Sequence, residues 1–98
     1  MFTDFRSKIR NLVYNLGRNV TELVSDTFDE VEFVLRDYER LKEFDNKLRE
    51  IMSFAEPKRR MDFEIEGYFK LVVYDNLLMV SKMKKDGSFY VKLIFFNL

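Results

Sequence analysis

Residues 77–96 read Leu77-Leu78-Met79-Val80-Ser81-Lys82-Met83-Lys84-Lys85-Asp86-Gly87-Ser88-Phe89-Tyr90-Val91-Lys92-Leu93-Ile94-Phe95-Phe96, and the way this stretch pairs with itself decides the fold. Two apolar runs flank Asp86-Gly87, the strongest short-range hairpin signal. A two-residue loop there sets Val80 opposite Leu93 and Leu78 opposite Phe95. Upstream, Asp75-Asn76 turns a preceding strand back, with Val73 opposite Leu78 and Leu71 opposite Val80. The expectation is a three-stranded antiparallel meander over about 61–74, 77–85 and 88–97.

Side chains alternate between the faces of a strand. This pairing therefore collects Met61, Phe63, Ile65, Phe69, Leu71, Val73, Leu78, Val80, Phe89, Val91, Leu93 and Phe95 on one face, the expected core. The other face carries Asp62, Glu64, Glu66, Tyr68 and Lys70 at one end and Val72, Tyr74, Leu77, Met79, Ile94 and Phe96 at the other. A sheet covered once alternates apolar with polar. Six large apolar side chains on the second face approach the few hundred Å² at which an exposed patch signifies contact. The last strand, read as an edge, has one internal charge, Lys92, and no proline to discourage pairing. Both features point to burial against a second copy, as a homodimer, or against a target protein.

Before Pro57 the apolar period changes from two to three and four. Phe5, Ile9, Leu12, Val13 and Leu16 form one stripe of a helix over about 3–16, with Gly17 as its left-handed stop. Asn19 precedes Glu22, and Thr27 precedes Glu30, at capping-box spacing. These predict a short helical turn at about 20–25 and a long helix over about 27–54. Val31, Val34, Tyr38, Leu41, Phe44, Leu48 and Ile51 line one side of that helix. Glu32–Arg36, Glu43–Lys47 and Asp45–Arg49 pair along the other. Such a helix is about 42 Å long, against a diameter of about 32 Å for a compact chain of this size. It must break, with Asp45-Asn46 weakest by propensity, or overhang in an elongated module. The whole chain, 1–98, is expected to be a single α+β domain with the helical half packed on the meander.

Catalytic groups are scarce. The chain has no Cys and no His, which leaves it without a thiol nucleophile, a thiolate metal site or the usual neutral-pH base. Its serines lack a base partner, and Ser81 and Lys82, adjacent on a strand, point to opposite faces. Three glycines build no phosphate-cradling loop. Asp62, Glu64 and Glu66 share a strand face with Lys70, and the solvated face of a strand accounts for them. No enzyme activity, cofactor or metal is expected. The aromatic content of 16 % falls at core-packing periods.

Lys and Arg number 17, as do Asp and Glu, for a formal charge of zero. This disfavours a basic polyanion binder. Lys58, Arg59 and Arg60 nonetheless cluster at the helix–strand junction, and Lys82, Lys84 and Lys85 near the hairpin, with Tyr68 and Tyr90 nearby. Nucleic-acid binding through these six is the alternative function. No apolar run approaches the ~18–20 residues of a membrane span, and the start has no basic-then-apolar signal; a cytoplasmic protein without a membrane partner is expected. One alanine (Ala55) and no glutamine beside eleven phenylalanines is a composition associated with small virus- or phage-encoded proteins. An inhibitor of a host or defence protein is then one form of a non-enzymatic interaction module.

Overall fold

A computed structural model describes residues 5–53, 59–63, 69–74 and 76–96, with the side chains of 59–63 and 69 outside the description. The elements are α1 (Phe5–Asn15), a 3₁₀ turn (Gly17–Asn19), β1 (Val20–Asp26), β2 (Glu30–Leu35), α2 (Tyr38–Ile51), β3 (Arg59–Phe63), β4 (Phe69–Val73), β5 (Leu77–Met83) and β6 (Phe89–Phe95). The α+β class stands. Among the described residues the strands form one six-stranded antiparallel sheet in the order β1-β2-β6-β5-β4-β3. Both helices lie on one of its faces.

The first correction concerns residues 20–35, which are strands and not helix. Glu30-Val31-Glu32-Phe33 alternates at period two, and Val31, Phe33 and Leu35 enter the core while Glu30 and Glu32 remain part-exposed on the other face. The capping-box spacing at Thr27 is real chemistry with a different outcome. Glu30 N donates to Thr27 Oγ1 at 3.2 Å, but Thr27 N also donates to Glu30 O at 2.9 Å, closing the β1–β2 hairpin. Asn19 caps no helix, because its Oδ1 accepts from Arg40 Nε at 3.0 Å and its carbonyl from Arg36 N at 2.9 Å.

The second helix therefore starts late. Asp37 caps α2 by accepting from Arg40 N at 3.0 Å. Leu41, Phe44 and Leu48 face the core, with Phe44 meeting Phe33 edge to face at 5.3 Å. The helix runs unbroken through Asp45-Asn46, and its 14 residues span only about 21 Å, so no rod overhangs the sheet. Asp45 is held instead: Lys70 Nζ of β4 lies 3.1 Å from its Oδ2 and Arg49 Nη2 at 3.4 Å. The expected Glu32–Arg36 pair is absent from the described ion pairs, since Glu32 turns to Lys92 and Tyr90.

Helix α1 buries Ile9 and Val13 and ends near Gly17, whose φ of +56° is the left-handed conformation that glycine tolerates. Arg10 Nε meets Asp26 Oδ1 at 3.1 Å, and its Nη2 donates to the carbonyls of Thr27 and Phe28. Tyr14 donates to Asp26 as well. These contacts bind α1 to the tip of the β1–β2 hairpin.

The second correction is the register of β5 against β6. The pairing of β4 with β5 is as expected, with Leu71 opposite Val80 and Val73 opposite Leu78. At Asp86-Gly87 the loop holds three residues, not two. Lys84 N donates to Ser88 O at 2.7 Å, Gly87 N to Lys84 O at 3.0 Å, and Gly87 has φ +87°. That is a type I turn followed by a left-handed glycine, and Asp86 Oδ1 secures it by accepting from Ser88 N at 2.9 Å. Met79 consequently faces Leu93, and Leu78 faces Ile94. A slip of one residue moves every side chain of a strand to the opposite face. Val72, Tyr74, Leu77 and Met79 therefore join Phe89, Val91, Leu93 and Phe95 under the helices, while Leu71, Val73, Leu78 and Val80, expected in the core, occupy the other face part-exposed. The expected core positions Met61, Phe63 and Phe69 belong to described strands without described side chains, and Ile65 lies outside the described residues.

The third correction is that β6 is not an edge. It pairs with β5 on one side and with β2, over Glu30 to Leu35, on the other. The edges are β1 and β3.

Candidate interaction site

The helix-free face of the sheet is apolar where β4, β5 and β6 adjoin. Val73, Leu78 and Ile94 lie side by side on successive strands, and Leu71, Val80 and Lys92 form the next row. Each of the five apolar residues is part-exposed, and neither described helix covers them.

Toward β2 this face becomes polar. Lys92 Nζ lies 3.6 Å from Glu30 and 3.7 Å from Glu32, and Tyr90 Oη donates to Glu32 Oε2 at 2.5 Å. That bond, first among the causes, holds the Glu32 carboxyl below its ordinary range. Desolvation, then the carboxylate beside it, pushes the Tyr90 phenol up from 10.0 to about 12. A raised folded-state pKa means that the bond's stabilisation is complete below pH 10.0 and is lost as pH rises through about 12. Tyr90→Phe is expected to cost about 0.5–1 kcal/mol at neutral pH and to remove this alkaline loss, as read from thermal melts across that window.

At the hairpin end the face dips into a groove of about 820 Å³. It is lined by Glu22 and Val24 of β1, Val34 of β2, Tyr90 of β6, and Lys82, Met83, Lys84 and Lys85 at the end of β5. Val34 is only 3 % exposed although it lies on the helix-free side, opposite Tyr90.

Of the residues expected to form an interface, Val72, Tyr74, Leu77 and Met79 are sealed in the protein's own core and leave no surface there. Ile94 and Phe96 remain part-exposed. The residues missed are Leu71, Val73, Leu78 and Val80, whose only sequence signal was the length of the loop around Asp86-Gly87. Of the six basic residues, Lys82, Lys84 and Lys85 come together at the groove. Arg59 and Arg60 are on β3, at the far edge and toward the opposite end, since Arg59 pairs with Val73, whose next neighbour is Leu78. Lys58 and Tyr68 lie outside the described residues, as do Glu64 and Glu66 of the acidic row, and the side chain of Asp62 is not described. Among the described residues no group of three His, Cys, Asp or Glu is placed to hold a metal ion. Ser81 sits beside Lys70 in register and is buried beneath the helices.

Fold and face together define a small α+β protein with helices on one side of its sheet and an apolar surface on the other. No family model, curated protein or solved structure matches this chain. Among the described residues no helix is long and apolar enough to cross a membrane.

Proposed function

We propose that this chain is a small non-enzymatic protein-interaction module that works through the helix-free face of its sheet. One observation carries the reading: Leu71, Val73, Leu78, Val80 and Ile94 adjoin on three neighbouring strands, each part-exposed on the face away from the two described helices. The occupant is a second copy, stacked face to face at the ~10 Å spacing of packed sheets.

Area sets the strength. Six strands ~4.8 Å apart and about six residues long at ~3.3 Å give a face of about 580 Å². Two such faces bury about 1,150 Å², at the lower edge of specific interfaces. The homodimer is accordingly weak and concentration-dependent, and the same face remains available to a target protein, as in a phage-type inhibitor of a host or defence protein. Light scattering over a concentration series tests this. The parent chain is expected to self-associate as concentration rises, and Leu78→Asp with Val80→Asp to stay monomeric and folded. A parent that is strictly monomeric throughout contradicts the proposal. Nucleic-acid binding is the weaker reading, because the described positions separate: Arg59 and Arg60 are on β3, two strands from Lys82 and toward the opposite end of the sheet.

A further inference from the structure

We infer that α1 is a releasable strap, a segment that orders and lets go as a unit, latched to the tip of the β1–β2 hairpin by the carboxylate of Asp26. The inference goes beyond the proposed function and does not rest on it, because it concerns the helix-covered side of the sheet.

The sequence of α1 makes a poor helix by itself. Its 11 residues fall below the ~12–15 at which isolated helices are marginal in water. Arg6, Lys8 and Arg10 give it three cations and no acid, so its first turn has nothing to complement the helix dipole. Arg6 and Arg10, four residues apart, share a helix face, where like charges repel. Its buried residues are Ile9 and Val13, with Phe5 and Leu12 part-buried beside them. Such a segment stays helical only while something outside it holds it.

The hairpin tip supplies what α1 lacks. Asp26 Oδ1 accepts from Arg10 Nε at 3.1 Å, and Oδ2 accepts from the Tyr14 hydroxyl. Arg10 Nη2 donates to the carbonyls of Thr27 and Phe28. The Arg6 guanidinium lies 4.6 Å from the centre of the Phe28 ring, and that of Arg10 lies 5.0 Å from the centre of Phe95. One carboxylate therefore ties two successive turns of α1 to the sheet, while aromatic rings take up the cations that repel each other. Gly17, with φ +56°, forms the joint between α1 and β1. Release about that joint uncovers Ile9, Val13 and the Phe95 ring, against which Phe5 packs at 6.0 Å.

The charge on the latch sets when it holds. The groups acting on Asp26 are Tyr14 and Arg10 of α1, with Asp29 and Glu30 following it along the hairpin, Glu30 being paired with Lys92. The Tyr14 hydrogen bond, then Arg10, keeps the Asp26 carboxyl below its ordinary 3.8. A depressed folded-state value means that the latch is complete above pH 3.8 and is lost as pH falls through the folded value.

The test is native-state hydrogen exchange of the full chain, read residue by residue by NMR. Amides from Ile9 to Asn15 are expected to exchange through an opening that leaves α2, β5 and β6 protected. The Asp26 side chain takes no part in the Thr27–Glu30 bonds that close the hairpin, so Asp26→Ala keeps the sheet. It is expected to speed α1 exchange about tenfold, and Tyr14→Phe about threefold, with the sheet amides unchanged. Below pH 3.8, α1 exchange relative to its intrinsic rate is expected to rise in the parent and not in Asp26→Ala. Amides of α1 that exchange only together with α2 and the sheet would overturn the inference. An Asp26→Ala effect spread evenly over the molecule, or an acid response that persists without Asp26, would do the same.

Discussion

Met79→Asp abolishes folding at neutral pH, whereas Leu78→Asp, one position earlier, leaves a folded protein. The two side chains are of similar size and sit on the same strand, but they face opposite layers. Met79 is 0 % exposed, in register with Leu93 and among the residues packed beneath the helices. An ionised carboxylate there, inside the apolar cluster, must be desolvated or protonated. The cost of either, added to the lost packing, is comparable to the whole 5–15 kcal/mol that holds a small domain together. Leu78 faces the helix-free side and is part-exposed, so an aspartate there keeps its water. It loses only part of a leucine's burial and some strand preference, about 1–2 kcal/mol. Circular dichroism and thermal melting read both variants directly. A folded Met79→Asp beside an unfolded Leu78→Asp would mean that the two faces are exchanged.

Lys70→Met is expected to lower stability by about 3 kcal/mol, although it introduces an apolar side chain on a strand. Asp45 has 4 % of its side chain exposed, inside a helix whose neighbouring positions are the core residues Leu41, Phe44 and Leu48. Lys70, partly exposed itself, reaches in from β4 to within 3.1 Å of it. Removing this 3.1 Å cation contact weakens the compensation of a carboxylate held away from water; complete loss of a buried pair typically costs 3–5 kcal/mol. Arg49 is half-exposed and lies at the longer distance of 3.4 Å, so it softens the loss without replacing the lysine. The double variant Asp45→Leu with Lys70→Met removes both charges and is expected to recover most of the stability. Urea midpoints at unchanged slope supply the comparison. An undiminished midpoint in Lys70→Met alone would show that the ion pair does not fasten α2 to the sheet.

Local chemistry was legible where one signal stood alone. The stripe of α1 with its stop at Gly17, the 41-44-48 stripe of α2 and the turn at Asp75-Asn76 all follow from short-range spacing. The segment 27–35 was not, because Val31 and Val34 suit a helical period while Val31, Phe33 and Leu35 suit a strand. What tips it is pairing with β6, some sixty residues away, a contact to which local spacing is blind. The same non-local pairing moved the last strand from the edge to the centre. For the candidate site, the sequence showed that both faces of the meander are apolar. Which residues belong to which face hung on a single residue in a loop, because Asp86-Gly87 serves a two-residue turn and a three-residue turn with a left-handed glycine equally well.

Everything proposed about function depends on that register, and cross-strand Overhauser contacts between β5 and β6 measure it without any substitution. The expected pattern sets Met79 against Leu93 and Ser81 against Val91, which leaves Leu78 and Val80 on the helix-free face. Contacts that instead set Val80 against Leu93 would return Leu78 and Val80 to the core and remove the apolar surface on which the interaction rests.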